Sequence, residues 1–386
     1  MIEKIKLKNF KAIQTANIKL TDLTVFVGNN GSGKSSVIEA LQTLQNILLH
    51  GLSSGFNERW FGLDYIRNTS NSKPGNGSKL FNNDIEFEIE GKIEKDKFKY
   101  KVCFNSTPSG DLYLVTSESL TQNKDLIFTS AVINEKGYAE LFLDNEPIPY
   151  HYLANQLVIS DKKLHNNHDF VIEFSNYIAS WQFIALEPEK MYFPSPRDYS
   201  QTQVKMNSTG GNLADYYGRL QDNPLNSNII LDKMRYVLPY LDLIGQEKID
   251  IQKQIYLFLQ EKDQNRRLPS WLFSSGTLRI LAILSILNSE ITPPVIFIEE
   301  IENGFDPRTL NLVVEEMRSL IPKMQFITTT HSPYFLDLVA LKHVVVVERS
   351  NGKPTFYRPN DDKSLDEWKN KFSAGTLYTM NKLSRS

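Results

Sequence analysis

The segment Gly28-Asn29-Asn30-Gly31-Ser32-Gly33-Lys34-Ser35 constrains the fold more than any other part of the chain. It fits the pattern G-x-x-x-x-G-K-[ST] at every position and follows an apolar run, Leu23 to Val27, that reads as a strand. Ser35 to Leu49 then reads as a helix, with Val37, Leu41, Leu44 and Leu48 at three- and four-residue spacing. A glycine-rich turn between a strand and a helix lets consecutive backbone N–H groups converge on a phosphate, and the helix N-terminus adds positive potential. Lys34 would reach the β- and γ-phosphates, and the Ser35 hydroxyl would ligate magnesium. The segment therefore predicts a nucleotide site.

A second constellation lies far downstream. Val295 to Ile298 is a buried-strand run that ends in Glu299-Glu300. A carboxylate at the end of a parallel strand can hold magnesium, and the next can polarise the water that attacks a γ-phosphate. Before it, Phe273-Ser274-Ser275-Gly276-Thr277 is a hydroxyl-rich turn at a helix start, which suits an anion. After it, Gln325 to Thr329 leads into Thr330-His331-Ser332-Pro333, where the chain can return to the phosphate pocket. Helix (Thr277–Leu287), strand (Val295–Ile298), helix (Arg308–Leu320) and strand (Gln325–Thr329) follow one another in α/β rhythm.

Between these ends the pattern changes. From Asp84 to Phe104 apolar and polar residues alternate, which predicts a hairpin turning at Lys95-Asp96, with Glu94 opposite Lys97 and Glu90 opposite Lys101. The row Lys97, Lys99, Lys101 reads as a solvated sheet face. Strands are also expected near Leu112–Val115, Leu126–Ala131 and Tyr138–Leu143. Asn212–Gln221 and Leu225–Leu241 read as helices, and Lys248–Gln260 as a strand pair. Asn68–Lys79 holds almost nothing that could pack and reads as a loop. His165-Asn166-Asn167-His168-Asp169 reads as solvated rather than as a metal cluster. Trp181, Phe183, Tyr236 and Tyr240 are assigned to the core. No sustained heptads occur, so no long coiled-coil arm is expected.

Composition sets outer bounds. Over 386 residues, 43 Lys and Arg face 45 Asp and Glu, a net charge of -2, which excludes a uniformly basic nucleic-acid coat. The single cysteine, Cys103, excludes a disulfide framework. The apolar runs fall short of the ~20 residues that span a bilayer. Met1 to Lys6 alternates like a strand rather than a signal peptide. A cytoplasmic location without membrane association is expected.

The chain resembles the ABC-type ATPase heads of the OLD, RecF and SMC clade, in particular the smaller bacterial AAA-family ATPases within it. The segments that carry the resemblance are Leu7-Lys8-Asn9-Phe10-Lys11, Gly28–Ser35, Gly211-Asn212-Leu213, Ser274-Ser275-Gly276-Thr277-Leu278-Arg279, Glu299-Glu300-Ile301-Glu302-Asn303-Gly304 and Thr330-His331-Ser332-Pro333. It implies an α/β fold: an ABC-ATPase head with a phosphate-loop sheet core, an antiparallel β subdomain and a helical insertion. The implied division has head pieces at 1–60 and 266–350, an insertion at 61–265 (sheet near 80–150, mixed and helical near 150–265) and a tail at 351–386.

The resemblance also assigns roles. Ser35 and Glu299 would serve magnesium, Glu300 would be the base, and His331 would sense the γ-phosphate. Lys11, Asn29, Asn30, Gly31, Ser32, Gly33, Lys34, Ser35 and Ser36 would surround ATP. Ser274, Ser275 and Gly276 would cap ATP held by a second copy, and Asn303 to Asp306 would couple the two sites. Two departures stand out: Glu299 where the clade usually has Asp, and Ile301 where it usually has Pro. Gln182 is the candidate for a glutamine that follows the nucleotide state. The 55 residues after His331 are fewer than the Toprim nuclease domain of OLD-type enzymes needs, so no nuclease activity within this chain is expected.

The activity implied is magnesium-dependent ATP hydrolysis in a head-to-tail homodimer or higher assembly, regulating a separate effector protein in antiviral defence or DNA maintenance. Two other readings stay open: a RecF-like repair ATPase that binds DNA, and a slow ATP-binding scaffold that sequesters a toxic partner.

Overall fold

The alternation near the N-terminus and the apolar runs near the C-terminus both become strands, of opposite kinds. In this computed structural model the described residues are 1–68, 83–107, 112–133, 136–143, 146–161, 168–197, 204–249, 253–321 and 323–384. The chain begins with β1 (Ile2–Phe10), β2 (Ile13–Lys19), β3 (Leu23–Val27), α1 (Lys34–Trp60) and α2 (Leu63–Ile66). Next come β4 (Ile85–Ile93), β5 (Asp96–Ser106), β6 (Tyr113–Gln122), β7 (Asp125–Ile133), β8 (Lys136–Leu143), β9 (Glu146–Tyr152) and α3 (Asp169–Ala179). After β10 (Gln182–Ile184), α4 (Pro188–Met191) and β11 (Ser195–Pro196) lie α5 (Leu213–Leu220) and α6 (Pro224–Val237). Then follow β12 (Leu241–Ile249), β13 (Gln254–Glu261), β14 (Arg267–Pro269), α7 (Ser275–Leu287) and β15 (Val295–Ile298). The chain continues through α8 (Pro307–Leu320), β16 (Gln325–Thr330), α9 (Pro333–Asp337), β17 (Val344–Ser350) and β18 (Lys353–Tyr357). They divide into two compact units: Met1–Trp181 with Leu341–Lys371 and Met380–Ser386, and Gln182–Ala340 with Phe372–Thr379.

In the first unit the antiparallel sheet runs β2-β1-β4-β5-β6-β7-β8-β9. Period-two alternation puts Ile5, Leu7, Phe87, Ile89, Tyr100 and Val102 on one buried face. Gly51 (φ 84°, ψ 169°) breaks α1 into two helical pieces. The second piece lays Phe56 edge-on against Phe104 at 5.4 Å and Trp60 against Phe10 at 6.4 Å. On the outer face Glu86, Glu88 and Glu90 lie between Lys4, Lys6 and Lys8 of β1 and Lys99 and Lys101 of β5. The hairpin register differs from the expected one. Glu90 faces Lys99, Glu88 faces Lys101 and Lys92 faces Lys97, because the turn sits at Glu94-Lys95 with Glu94 in the left-handed region (φ 48°). The slip moves each strand by one residue in opposite senses, so the apolar residues keep their face. β9, with Pro147 and Pro149, forms the edge where missing N–H donors cost nothing.

Glu118 is the most deeply buried acid of this unit among the described residues, 1% exposed. Glu118 accepts bonds from the N–H groups of Val158 and Ile159 at 2.6 and 3.1 Å and from the Tyr100 hydroxyl at 2.9 Å. Burial outweighs these donors and pushes its carboxyl up from 4.5 to about 7. Between those values the native chain keeps a proton that the unfolded chain has released. The stabilisation is therefore complete below about 4.5 and lost as pH rises through about 7. Urea unfolding of the wild type is expected to weaken between pH 5 and pH 8 by up to about 3 kcal/mol more than that of Glu118→Gln. Equal pH slopes in the two proteins would refute this.

In the second unit β10, β15 and β16 pair in parallel, with Phe183, Phe297 and Ile327 in register and the Phe183 and Phe297 rings stacked at 4.3 Å. Helix α7 is buried at almost every position from Thr277 to Leu287, which is why its sequence shows no polar face. Helix α6 ends at Val237 rather than at Leu241, because Pro239 lacks the N–H that would continue it, and β12 starts at Leu241. Tyr240, past the helix end, is half-exposed rather than core, and so is Tyr236, which is not among the buried residues of α6, Ile230 and Met234; the Arg308 guanidinium lies over the Tyr236 ring at 4.2 Å. Trp181 and Phe183 are buried as expected. Most of the expected loop at Asn68–Lys79, and His165 to Asn167, fall outside the described residues. Among the described residues no helix is long and apolar enough to cross a membrane.

Candidate functional site

The phosphate loop leaves β3, a strand buried at every residue and paired in parallel with β17. Its first glycine is required by space: a Cβ on Gly28 would lie 2.0 Å from the Val347 carbonyl oxygen. Gly33 has φ 111°, and a Cβ there would meet Pro354 Cγ at 2.9 Å. The loop closes on itself, with Ser32 N–H donating to the Asn29 carbonyl at 3.1 Å. Lys34 is buried and its ammonium donates to the carbonyls of Gly28 (2.7 Å) and Asn29 (3.0 Å).

Three observations fit this cradle to an anion. Asn29, Asn30 and Gly31 face solvent. The Ser32 hydroxyl oxygen is buried without a hydrogen-bond partner among the described residues. Helix α1 begins with no side-chain cap and no acidic residue in its first turn, which leaves its N–H groups and positive end available. Ser35 is half-buried and Ser36 buried in that turn. Lys11 sits in the left-handed turn between β1 and β2 (φ 51°). Its ammonium pairs with Glu39 of α1 at 2.6 Å and lies 4.6 Å from the Trp60 ring centre, while Arg59 stacks on the same ring and also pairs with Glu39.

The remaining candidate residues belong to the second unit. Glu299 follows β15 directly, half-buried, with its N–H donating to the Ile184 carbonyl at 3.0 Å. Glu300 is exposed and left-handed (φ 48°), a conformation that costs a non-glycine residue about 1 kcal/mol. Its N–H donates to the Thr329 hydroxyl at 2.9 Å, and its carboxylate accepts a bond from the Asn303 amide. Glu299, Glu300 and Asn303 line one small pocket with Arg279 and Phe305. His331 is half-buried just past β16, and its N–H donates to Glu302 Oε1 at 2.6 Å.

Ser274 caps α7 through its hydroxyl, which accepts from Thr277 N–H at 3.1 Å. Ser274 and Ser275 are exposed. Gly276 sits where a Cβ would come within 2.6 Å of the Gly304 carbonyl oxygen, so the start of α7 packs directly on the loop after the acidic strand end. Asp306 caps α8, accepting from Arg308 and Thr309 N–H and from the Thr309 hydroxyl, and those bonds hold its carboxyl below the usual range. The Gln182 amide is buried and donates to the Met206 carbonyl at 2.7 Å.

Sequence reasoning passed over Glu302, Thr329 and Glu39. Glu302 was visible as the third acid of Glu299-Glu300-Ile301-Glu302. Nothing local singled out Thr329 or Glu39, whose partners lie far away in the chain.

Residues 23–337 match a protein-family model described as "AAA domain, putative AbiEii toxin, Type IV TA system". The chain belongs to this family. It is an ATPase, and relatives under that heading are similar to it across most of its length. It is 22% identical over 352 residues to an ATP/GTP phosphatase of Helicobacter pylori, spanning 88% of this chain and 87% of that protein. It is 20% identical over 386 residues to the Retron Vc95 probable ATPase of Vibrio cholerae, spanning 89% and 74% respectively. Among solved structures it is similar to an Smc head bound to the C-winged helix domain of ScpA, with TM-score 0.58, 14% identity and coverage of 94% and 99%. It is also similar to an Smc head with an extended coiled coil bound to the C-terminal domain of ScpA, derived from Pyrococcus furiosus, with TM-score 0.55, 13% identity and coverage of 96% and 99%. The fold is thus that of an ABC-type ATPase head, as the sequence implies.

Proposed function

We propose that this ATPase is a two-copy switch: ATP draws two chains together head to tail, hydrolysis lets them part, and the cycle is read by a separate effector protein. Residues Asn29 to Ser36, with Lys11 beside α1, hold the triphosphate of one copy, and Lys34 turns from the loop carbonyls to the phosphates. Ser35 and Glu299 are hard oxygen donors that suit magnesium, which when bound neutralises charge on the phosphates. Glu300 accepts a proton from the attacking water, and His331 donates to the γ-phosphate. The exposed Ser274-Ser275-Gly276 turn of the other copy completes the anion site. The domain division at 1–60, 61–265, 266–350 and 351–386 belongs to the same reading.

The observation that supports the switch most directly is the contact of Gly276 with Gly304. A ligand that presses on the α7 start displaces the loop that carries Asn303, whose amide holds the Glu300 carboxylate. Occupancy at one site thereby reaches the acid at the other. The two Smc heads to which the chain is similar are each described with a bound ScpA domain, and one relative is named as a retron ATPase. The Smc titles support a protein partner, and the retron name supports a setting in bacterial antiviral defence, with DNA maintenance the other setting of the same reading.

A composite site makes turnover per chain depend on concentration. Phosphate release per chain is expected to rise steeply with protein concentration and then level off, and light scattering should show doubled mass with ATP and magnesium. Turnover that is constant per chain down to the lowest concentration, from a monomer, would sink the two-copy reading.

A further inference from the structure

The loop after β15 and the loop after β16 are stitched together within the second unit. The two strands pair in parallel up to Ile298 and Thr328, after which the sheet ladder stops. Three bonds carry the pairing onward. Glu300 N–H donates to the Thr329 hydroxyl at 2.9 Å, Ile301 N–H reaches the Thr329 carbonyl at 3.4 Å, and Glu302 Oε1 accepts His331 N–H at 2.6 Å. Two of the three depend on side chains, those of Thr329 and Glu302. Thr329 is buried, and the second carboxylate oxygen of Glu302 is buried without a hydrogen-bond partner among the described residues. A carboxylate oxygen left unsatisfied there is tolerable only if its sister oxygen makes a strong, charge-assisted bond. Glu300 is also held in a left-handed conformation that persists only when its surroundings impose it.

We infer that Thr329 and Glu302 are positioning residues that lock the Glu300 and His331 backbones to each other, so that the base and the γ-phosphate-sensing histidine move as one piece. This deepens the reading of Glu300 and His331 given above and rests on it. Thr329 fixes the turn that aims the Glu300 carboxylate. Glu302 fixes where the His331 backbone leaves β16. Both act through the peptide N–H of the residue they serve, so neither needs to touch nucleotide.

The test compares Glu302→Ala, Glu302→Gln, Thr329→Val and Thr329→Ser with Glu300→Gln and His331→Ala. Each full-length protein is assayed for kcat and KM with magnesium and ATP, and for equilibrium affinity with a fluorescent ATP analogue. Misplacing a catalytic group costs up to about 100-fold in rate. Glu302→Ala and Thr329→Val are accordingly expected to lose about 10- to 100-fold in kcat while analogue affinity changes less than about twofold. Glu302→Gln and Thr329→Ser keep the acceptor atom and should restore kcat to within about threefold. Wild-type kcat in Glu302→Ala and Thr329→Val, with Glu300→Gln and His331→Ala impaired, overturns the inference. Equal losses of affinity and rate, or no rescue by the conservative variants, overturn it too. Normal turnover in Glu300→Gln and His331→Ala would instead remove the reading on which it rests. Should Glu302→Ala fail to fold, the Thr329 pair carries the same decision.

Discussion

Glu300→Gln is expected to lower kcat by about 100- to 10,000-fold, the usual contribution of a positioned general base, with ATP still bound. The carboxylate stands exposed at the end of a buried parallel strand, with its N–H fixed by Thr329 and its side chain by the Asn303 amide. Glutamine has the same shape and keeps an oxygen for Asn303, but it cannot accept the proton of an attacking water. On the reading proposed above, binding rests on the phosphate loop, which the substitution leaves intact. The variant should therefore accumulate as an ATP-bound pair. Phosphate release and light scattering in magnesium-ATP check both halves. Wild-type turnover by Glu300→Gln would show that another group is the base.

Gly28→Ala should be almost as damaging, for a steric reason. The added Cβ would sit 2.0 Å from the Val347 carbonyl oxygen. That oxygen belongs to β17, which pairs with β3 at Val27 through Val346, so neither backbone can yield without breaking the pair. Overpacking of this kind costs about 3 kcal/mol. It should also distort the carbonyl that Lys34 binds, and with it the phosphate cradle. Gly31→Ala is the control, since nothing lies within 4 Å of its Cβ position and only its φ of 73° opposes the change. Thermal melts with and without magnesium-ATP are expected to show a large loss of stability and of the ATP-induced shift for Gly28→Ala, and a smaller loss for Gly31→Ala. Similar melts for both variants would refute the steric account.

The hairpin of β4 and β5 shows where reading from sequence stops. Alternation put Phe87, Ile89, Tyr100 and Val102 on the correct face, because face depends only on the parity of position. The partner of each lysine depends on which residues form the turn, and a left-handed Glu94 was not signalled by its residue type. Tyr236 and Tyr240 depart from the expected core for a related reason: an aromatic side chain is buried only where its backbone presents it to the core, and Tyr236 is not on the buried side of α6 with Ile230 and Met234, while Pro239 ends the helix before Tyr240.

The phosphate loop, the acidic strand end, the Ser274–Gly276 turn and the family were all legible in the chain, because each depends on residue types that are contiguous in sequence. A glycine, a lysine and a hydroxyl at set spacing prescribe their own backbone chemistry wherever the strand and helix form. The partners that aim those groups were decided by tertiary structure. Glu302 meets His331, Thr329 meets Glu300, Lys11 meets Glu39 and Gly276 meets Gly304 across separations in sequence that no local pattern spans. A hydrogen bond needs its two atoms within about 3 Å, and only the packing of strands and helices brings such distant residues that close.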